Sequence, residues 1–409
     1  MKVLIITQYF WPENFRINEL ASELKNKGHE VIVLTGLPNY PEGKIYKNYR
    51  ENKNKYKTMN GIKILRVPII PRRKGYVCLV LNYFSFALSA TILGAILLRK
   101  VKPDLIFVFQ TSPVLVGIPS SIISKIKKVP QIFWVLDLWP ETLEAIGVFK
   151  KKWQSALLKI LIKWIYSSCS LILCQSKSFV KNINKFVLEN DKVRFFPAWD
   201  DIVVKDNQLS KENNLKLNNN FLNIMYAGNV GYAQDFPSLI KAIEILKKEE
   251  TKYIKFHIIG DGRMKDYLEK SINNLNLEKY IKLHNKYPLN AMNEIFEQAD
   301  ILFVSLRNEK VFSMTIPGKI QSYLNSGKPI LGMLNGEGAD IINISKSGLT
   351  CNAGDYLQLS KLVKKFKNLD INTLNRMGIN GKIFYQKEFD KDKLINKLIN
   401  FFNETLQKD

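Results

Sequence analysis

Residues 1–36 read MKVLIITQYFWPENFRINELASELKNKGHEVIVLTG, and this stretch decides the fold. Val3 to Thr7 is a short apolar run, and Asn14 to Lys27 has the apolar spacing of an amphipathic helix. Gly28-His29-Glu30 turns the chain, and Val31 to Leu34 is a second apolar run. Strands that are apolar at every position, joined by a helix, imply a parallel sheet covered on both faces, because only such a sheet buries both sides of a strand.

The same alternation continues outward. Ile62 to Val67, Leu105 to Phe109, Ile132 to Leu136 and Leu171 to Cys174 are further strands. From about Trp199 to Asn220 the chain turns polar, loses its apolar period, and reads as a linker. A second series follows, with strands at Leu222 to Tyr226, Lys255 to Ile259, Ile281 to Leu283, Ile301 to Val304 and Ile330 to Gly332. Helices are expected at Phe236 to Lys248, Lys265 to Asn274, Ala291 to Gln298 and Pro317 to Ser326. The expected architecture is α/β, with two doubly wound Rossmann-like domains over 1–200 and 201–387. In the tail 388–409, Leu394, Ile395, Leu398, Ile399, Phe401 and Phe402 mark an amphipathic helix that packs either on the first domain or on its own.

Composition narrows the partners. With 61 Lys plus Arg against 37 Asp plus Glu, the net charge is +24. That balance suits anionic head groups, phosphorylated substrates or nucleic acid, although dispersed lysines also occur as ordinary solvated faces. No basic-aromatic cluster marks a nucleic-acid surface. Cys78, Cys169, Cys174 and Cys351 form no CxxC, and His29, His257 and His284 have no metal-ligand spacing. The amino terminus lacks the apolar core of a signal peptide, so a cytoplasmic site is expected. Gly75 to Leu98 contains no charged residue yet sits between two strands of one sheet. A true membrane span would separate those strands across the bilayer, so a buried or membrane-grazing helix is the expectation. Trp153 to Ser170 mixes Lys159, Lys163 and Trp164 into an apolar helix and also fits an interface.

Four segments carry candidate chemistry. The first loop, Gln8 to Arg16, follows a strand at the ligand-binding edge of the sheet but contains no glycine, so a dinucleotide cofactor is disfavoured. It offers Glu13, Asn14 and Arg16 to hydroxyls or phosphate, or else as a helix start. Asp137-Leu138-Trp139-Pro140-Glu141 pairs two carboxylates with an indole, as a sugar site would, or is a capped loop with a packing Trp. Tyr226 to Asp235 places Gly228 and Gly231 just after a strand, where backbone N–H groups approach phosphate. Arg307 and the run Thr315-Ile316-Pro317-Gly318-Lys319 put cations at a helix start, with Pro317 at the first helical position. A lysine there opposes the helix dipole and calls for an anion to explain it.

Taken in order, these segments resemble glycosyltransferase family 4, of the GT-B fold, over nearly the whole chain. The matching words are Tyr9-Phe10-Trp11-Pro12-Glu13, Gly28-His29-Glu30-Val31, Thr35 to Pro41, Asp137 to Glu141, Gln175-Ser176, Gly228 to Gly231 with Gln234, Ile316 to Lys319, and Gly327-Lys328-Pro329. The nearest likeness is to bacterial fucosamine-type transferases of O-antigen and capsule synthesis. The resemblance implies two domains facing a central cleft. It also implies a retaining, metal-independent and cofactor-free transfer from a UDP-sugar, such as UDP-N-acetylfucosamine, to a polyprenyl-diphosphate-linked saccharide at an anionic membrane surface, with no nucleic acid. On that reading Asp137, Glu141 and Lys319 are catalytic. Gly228, Asn229, Gly231, Gln234, Arg307, Thr315, Pro317, Gly318 and Lys319 hold the donor, and Glu13, Asn14, Arg16, Asn39 and Trp139 hold the acceptor. The chain departs from the family's pair of glutamates, with Met314 and Ser322 at those places, and has Asn229 for the usual Arg and Leu136 for a frequent His. Alternatives are a GT-B sugar-nucleotide epimerase, or an inactive assembly partner of polysaccharide enzymes.

Overall fold

The computed structural model describes residues 1–409 except 74, 146, 148–151, 188, 201–214, 216 and 409. Fourteen strands are formed among the described residues. In the first half they are β1 Lys2–Ile6, β2 Glu30–Gly36, β3 Thr58–Met59, β4 Ile62–Val67, β5 Leu105–Gln110, β6 Gln131–Val135, β7 Leu171–Cys174 and β8 Val193–Phe195. In the second half they are β9 Leu222–Ala227, β10 Ile254–Ile259, β11 Ile281–His284, β12 Ile301–Ser305, β13 Ile330–Met333 and β14 Gly348–Cys351. The helices, in chain order, begin with α1 Arg16–Asn26, α2 Lys47–Glu51, α3 Tyr76–Leu97, α4 Gly117–Lys127, α5 Glu141–Ala145, α6 Lys152–Ser167 and α7 Lys177–Ile183. They continue with α8 Phe236–Lys248, α9 Lys265–Asn274, α10 Met292–Glu297, α11 Lys310–Met314, α12 Gly318–Ser326, α13 Glu337–Ile344, α14 Tyr356–Lys367, α15 Ile371–Glu388 and α16 Lys391–Lys408.

Two units result: Met1–Pro197 with Asp392–Asp409, and Ala198–Lys391. In the first, the sheet order is β3-β4-β2-β1-β5-β6-β7-β8, parallel except for the β3–β4 pair. In the second, six parallel strands run β11-β10-β9-β12-β13-β14. Val3 to Ile6 and Leu105 to Val108 are wholly buried, as strands covered on both faces must be. In each unit the chain reverses its direction of winding beside the first strand, between β1 and β5 and between β9 and β12. The crevice at such a reversal, outside the carboxyl ends of the strands, is where doubly wound sheets take ligands.

The sequence reading missed β3, β8 and β14. These are short edge strands, and Val193–Phe195 and Gly348–Cys351 carry too few apolar residues to announce themselves. Trp199 and Asp200 are buried in the second unit rather than lying in a linker, and most of the remaining polar stretch is outside the described residues.

Helix α16 belongs to the first unit. It buries Leu394, Ile395, Leu398, Phe401 and Phe402, with Phe402 against Phe107 at 5.6 Å and Phe401 against Phe196 at 6.3 Å between ring centroids. Each such side chain contributes roughly 1.5–3 kcal/mol of burial. An ion pair between Arg194 and Glu404 fixes the same contact. Helix α3 packs its inner face on β4, β2 and α4. Among the described residues it is the one helix long and apolar enough to cross a membrane by length and composition, but only a third of that window is buried.

Candidate functional site

In the second unit, β9 ends at Ala227 and the chain enters Gly228 to Asp235. Gly228 has φ of +134°, a region closed to most side chains. A Cβ there would meet Lys319 Cε at 2.8 Å, so this glycine makes room for the lysine. Lys319 lies in the first turn of α12, and its Nζ stands 4.9 Å from the centre of the Tyr226 ring. The lysine is half-buried, and burial lowers its pKa to about 8. No carboxylate pairs with it among the described residues. The start of α12 has no side-chain cap, so its first N–H groups add partial positive charge beside the ammonium. A desolvated cation at an uncapped helix start is a place made for an anion.

Neighbouring groups complete this edge. The Arg307 guanidinium stacks on the Tyr232 ring at 3.4 Å, its backbone N–H donates to Ala233 O at 2.8 Å, and its Nε is buried without a hydrogen-bond partner among the described residues. Gln234 Oε1 accepts from Gly231 N–H at 3.1 Å and so shapes the loop. Asn229 is exposed, and its carbonyl accepts from the Tyr226 hydroxyl at 2.6 Å. Two expectations need correction. Pro317 has ψ of 134° and precedes the helix, so Gly318 is its first residue. The Thr315 hydroxyl donates to Val311 O at 2.8 Å, because a Thr ending α11 finds that carbonyl unsatisfied, and this leaves it only an acceptor role toward a ligand. Ser322 and Asn325 donate to the Asp200 carboxylate, which puts an acid against the place where the family's second glutamate was expected.

In the first unit the loops after β1 and β6 are held differently. Glu13 is 1 % exposed, and its carboxylate accepts from the N–H groups of Asn39, Tyr40 and Phe10 at 2.8, 2.7 and 3.3 Å. Burial outweighs these donors and raises its pKa to about 7. Asn39 is fully buried: its Nδ2 donates to Leu37 O at 3.0 Å and its Oδ1 accepts from Arg72 N–H at 2.8 Å. These two residues thus fix the loop geometry instead of offering free polar atoms, a correction to their expected role as direct acceptor contacts. Asn14 remains exposed and Arg16 half-buried.

Asp137 accepts from Thr142 Oγ1 at 2.5 Å and from Trp139 Nε1 at 3.1 Å, and burial raises its pKa to about 6. Trp139 is 6 % exposed, with its ring edge-on to Tyr83 at 6.1 Å, so its indole packs inward and orients Asp137. Glu141 opens α5, half-buried, and its Oε2 is buried with no hydrogen-bond partner among the described residues. Among the described residues, no three of His, Cys, Asp and Glu cluster as a metal would require.

Several participants escaped the sequence reading. A Cβ on Gly260 would meet Gly228 O at 1.9 Å, so the β10 loop packs tightly under the β9 loop. Its signal was legible, a glycine straight after the strand Lys255 to Ile259. Asn82 and Tyr83 also support the first-unit loops, but their partners are too distant in sequence to be read there.

This arrangement, two parallel α/β units each with polar groups at its carboxyl edge, is the plan of the GT-B glycosyltransferases. Sucrose-phosphate synthase from Thermosynechococcus elongatus has the same fold, with TM-score 0.75 at 12 % identity over the whole of both chains. Anabaena Alr3699/HepE, solved with UDP and glucose, matches with TM-score 0.67 at 13 % identity, covering 98 % of this chain and 99 % of that one.

Residues 15–199 match the model described as Glycosyltransferase Family 4, and residues 207–384 match the model described as Glycosyl transferases group 1. Pseudomonas aeruginosa glycosyltransferase WbjE is 26 % identical over 59 % of this chain and 61 % of its own length. The Escherichia coli (strain K12) protein named as colanic acid biosynthesis glycosyl transferase WcaI is 27 % identical over 66 % of this chain and 68 % of its own. The chain therefore spans about three fifths of WbjE and two thirds of WcaI.

Proposed function

We propose that the protein is a retaining glycosyltransferase that moves a sugar from a UDP-sugar to a polyprenyl-diphosphate-linked saccharide in surface-polysaccharide synthesis. The sugar is an N-acetylated deoxyhexose of the fucosamine type. The enzyme works in the cytoplasm, peripherally on the inner face of the membrane. The observation that carries the reading is Lys319: a half-buried ammonium with no carboxylate partner among the described residues, beside Gly228 and at an uncapped helix start. The names of WbjE and WcaI and the UDP in the HepE structure support the same direction.

In this mechanism the bond from the anomeric carbon to the diphosphate oxygen breaks, and the acceptor hydroxyl oxygen bonds to the same face of that carbon. The hydroxyl proton passes to the departing diphosphate. Lys319, the N–H of Gly318 at the helix start and the loop Gly228 to Gly231 take up the growing negative charge, so they bind the transition state more tightly than the ground state. Arg307 adds a second cation, while Asp137 and Glu141 orient the acceptor hydroxyl.

The test begins with a thermal-shift screen of nucleoside diphosphates, followed by nucleotide sugars with membrane extract as acceptor source. UDP is expected to raise the melting temperature of the wild type and not of Lys319→Ala. Failure of every nucleotide to shift the wild type would defeat the donor assignment. Conversion of the nucleotide sugar to an isomer without acceptor would replace transfer with epimerisation.

A further inference from the structure

Helices α3, α4 and α6 lie on one another in that order along one face of the first sheet. On α3, Val77, Leu81, Phe84, Leu88, Ile92 and Ile96 recur at helical spacing and are each 45–67 % exposed. On α6, Trp153, Leu157, Ile160 and Trp164 form a second stripe, 45–68 % exposed, and Ile126 of α4 is exposed between them. None of the three helices contains an Asp or Glu. Exposed basic residues surround the stripes: Arg73 before α3, Arg99 and Lys100 after it, Lys125 and Lys128 at the end of α4, and Lys159 and Lys163 within α6.

We propose that this three-helix face docks on an anionic lipid bilayer, and that the docking holds the first-unit loops in place through α3. Charge decides the occupant. A second copy seated on the same face by a two-fold axis would set lysines against lysines. An anionic bilayer accepts the apolar stripes among its acyl chains and the lysines among its head groups. The inner side of the same helical turn reaches the loops. Asn82 is fully buried, accepts from Gln8 Nε2 at 2.7 Å and donates to Ile70 O at 2.6 Å. Tyr83 meets Trp139, whose indole N–H donates to Asp137. Leu81 and Phe84 thus face outward on the turn whose Asn82 and Tyr83 brace both loops. This consequence for the loops rests on the proposed glycosyltransferase reading, whereas the docking does not.

The experiment is co-sedimentation of the full chain with vesicles of phosphatidylcholine alone or with an equal part of phosphatidylglycerol. Binding is expected only with the anionic lipid, falling tenfold or more in Leu81→Glu/Leu88→Glu, with the UDP thermal shift retained. Hydrogen exchange of residues 8–14 and 137–142 is expected to slow on vesicle binding in the wild type. In Asn82→Leu binding is expected to persist and that slowing to disappear. Wild type left in the supernatant with anionic vesicles overturns the proposal, as does a dimer that the double variant converts to monomer. Loss of the UDP shift in the wild type would instead count against the glycosyltransferase reading alone.

Discussion

The carboxyl edges of the two sheets hold their charged groups differently. In the first unit two acids, Glu13 and Asp137, are held by donors from neighbouring loops, and the half-buried Arg66 beside Glu13 donates to Gly36 O and Trp11 O. In the second unit the half-buried cations Lys319 and Arg307 are set among glycines and aromatic rings with no carboxylate against them among the described residues. An edge whose acids are satisfied internally is rigid and presents few free charges. An edge whose cations lack counter-ions is incomplete until an anion arrives. On the proposed reading, the first edge would take the acceptor hydroxyl and the second the donor diphosphate.

The sharpest way to break that contrast is Lys319→Ala. Removing one charged donor to a departing diphosphate is expected to lower kcat by roughly tenfold to a thousandfold. Because burial places its pKa at about 8, diphosphate affinity of the wild type should also weaken as the pH rises through that value, and titration calorimetry would follow it. Unchanged turnover would remove Lys319 from the site. Asp137→Asn addresses the other edge: turnover is expected to fall by roughly tenfold to a hundredfold with UDP affinity unchanged, as its proposed role toward the acceptor requires. A loss of UDP affinity in that variant would erase the division of labour.

Gly228→Ala tests the geometry of the second edge. The substitution forces a side chain into φ of +134° and against Lys319 Cε, at a strain of about 1–3 kcal/mol. The melting temperature and UDP affinity should both drop. Since Lys319 is flexible at that end, a drop in stability without any change in UDP affinity would mean that the lysine re-seats and its exact placement is immaterial.

Much of this was readable from local pattern. The helices Phe236–Lys248 and Lys265–Asn274 stand at their expected bounds, because an apolar stripe and its flanking turns are encoded within a few residues. Lys319 could be singled out because a cation in a helix's first turn contradicts the dipole. Glu13, Asn39 and Trp139 could be chosen by residue type, but not placed. Glu13 meets Asn39 across 26 residues of sequence, and that long-range contact decides whether a carboxylate faces solvent or backbone. The short strands β8 and β14 are defined by their pairing with neighbours, which no window of sequence contains.

The smallest expected effect concerns pH, and it has opposite sign in the two units. Burial raises Glu13 from 4.5 to about 7 and Asp137 from 3.8 to about 6. The folded first unit therefore takes up these protons before the unfolded chain does, and gains stability as the pH falls from about 7 toward 4.5. In the second unit, His257 and His284 lie 3.0 Å apart, and burial lowers them from 6.5 to about 3 and about 4. Here the unfolded chain binds protons first, so stability is intact above 6.5 and is lost as the pH falls toward the folded values. Any one group changes stability by at most about 1.4 kcal/mol per pH unit. Hydrogen-exchange protection factors, corrected for intrinsic rate, should therefore rise in β1 and β2 and fall in β10 and β11 between neutral and mildly acidic pH. Glu13→Gln should flatten the rise, and parallel loss of protection in both units would show that the buried acids do not govern the first.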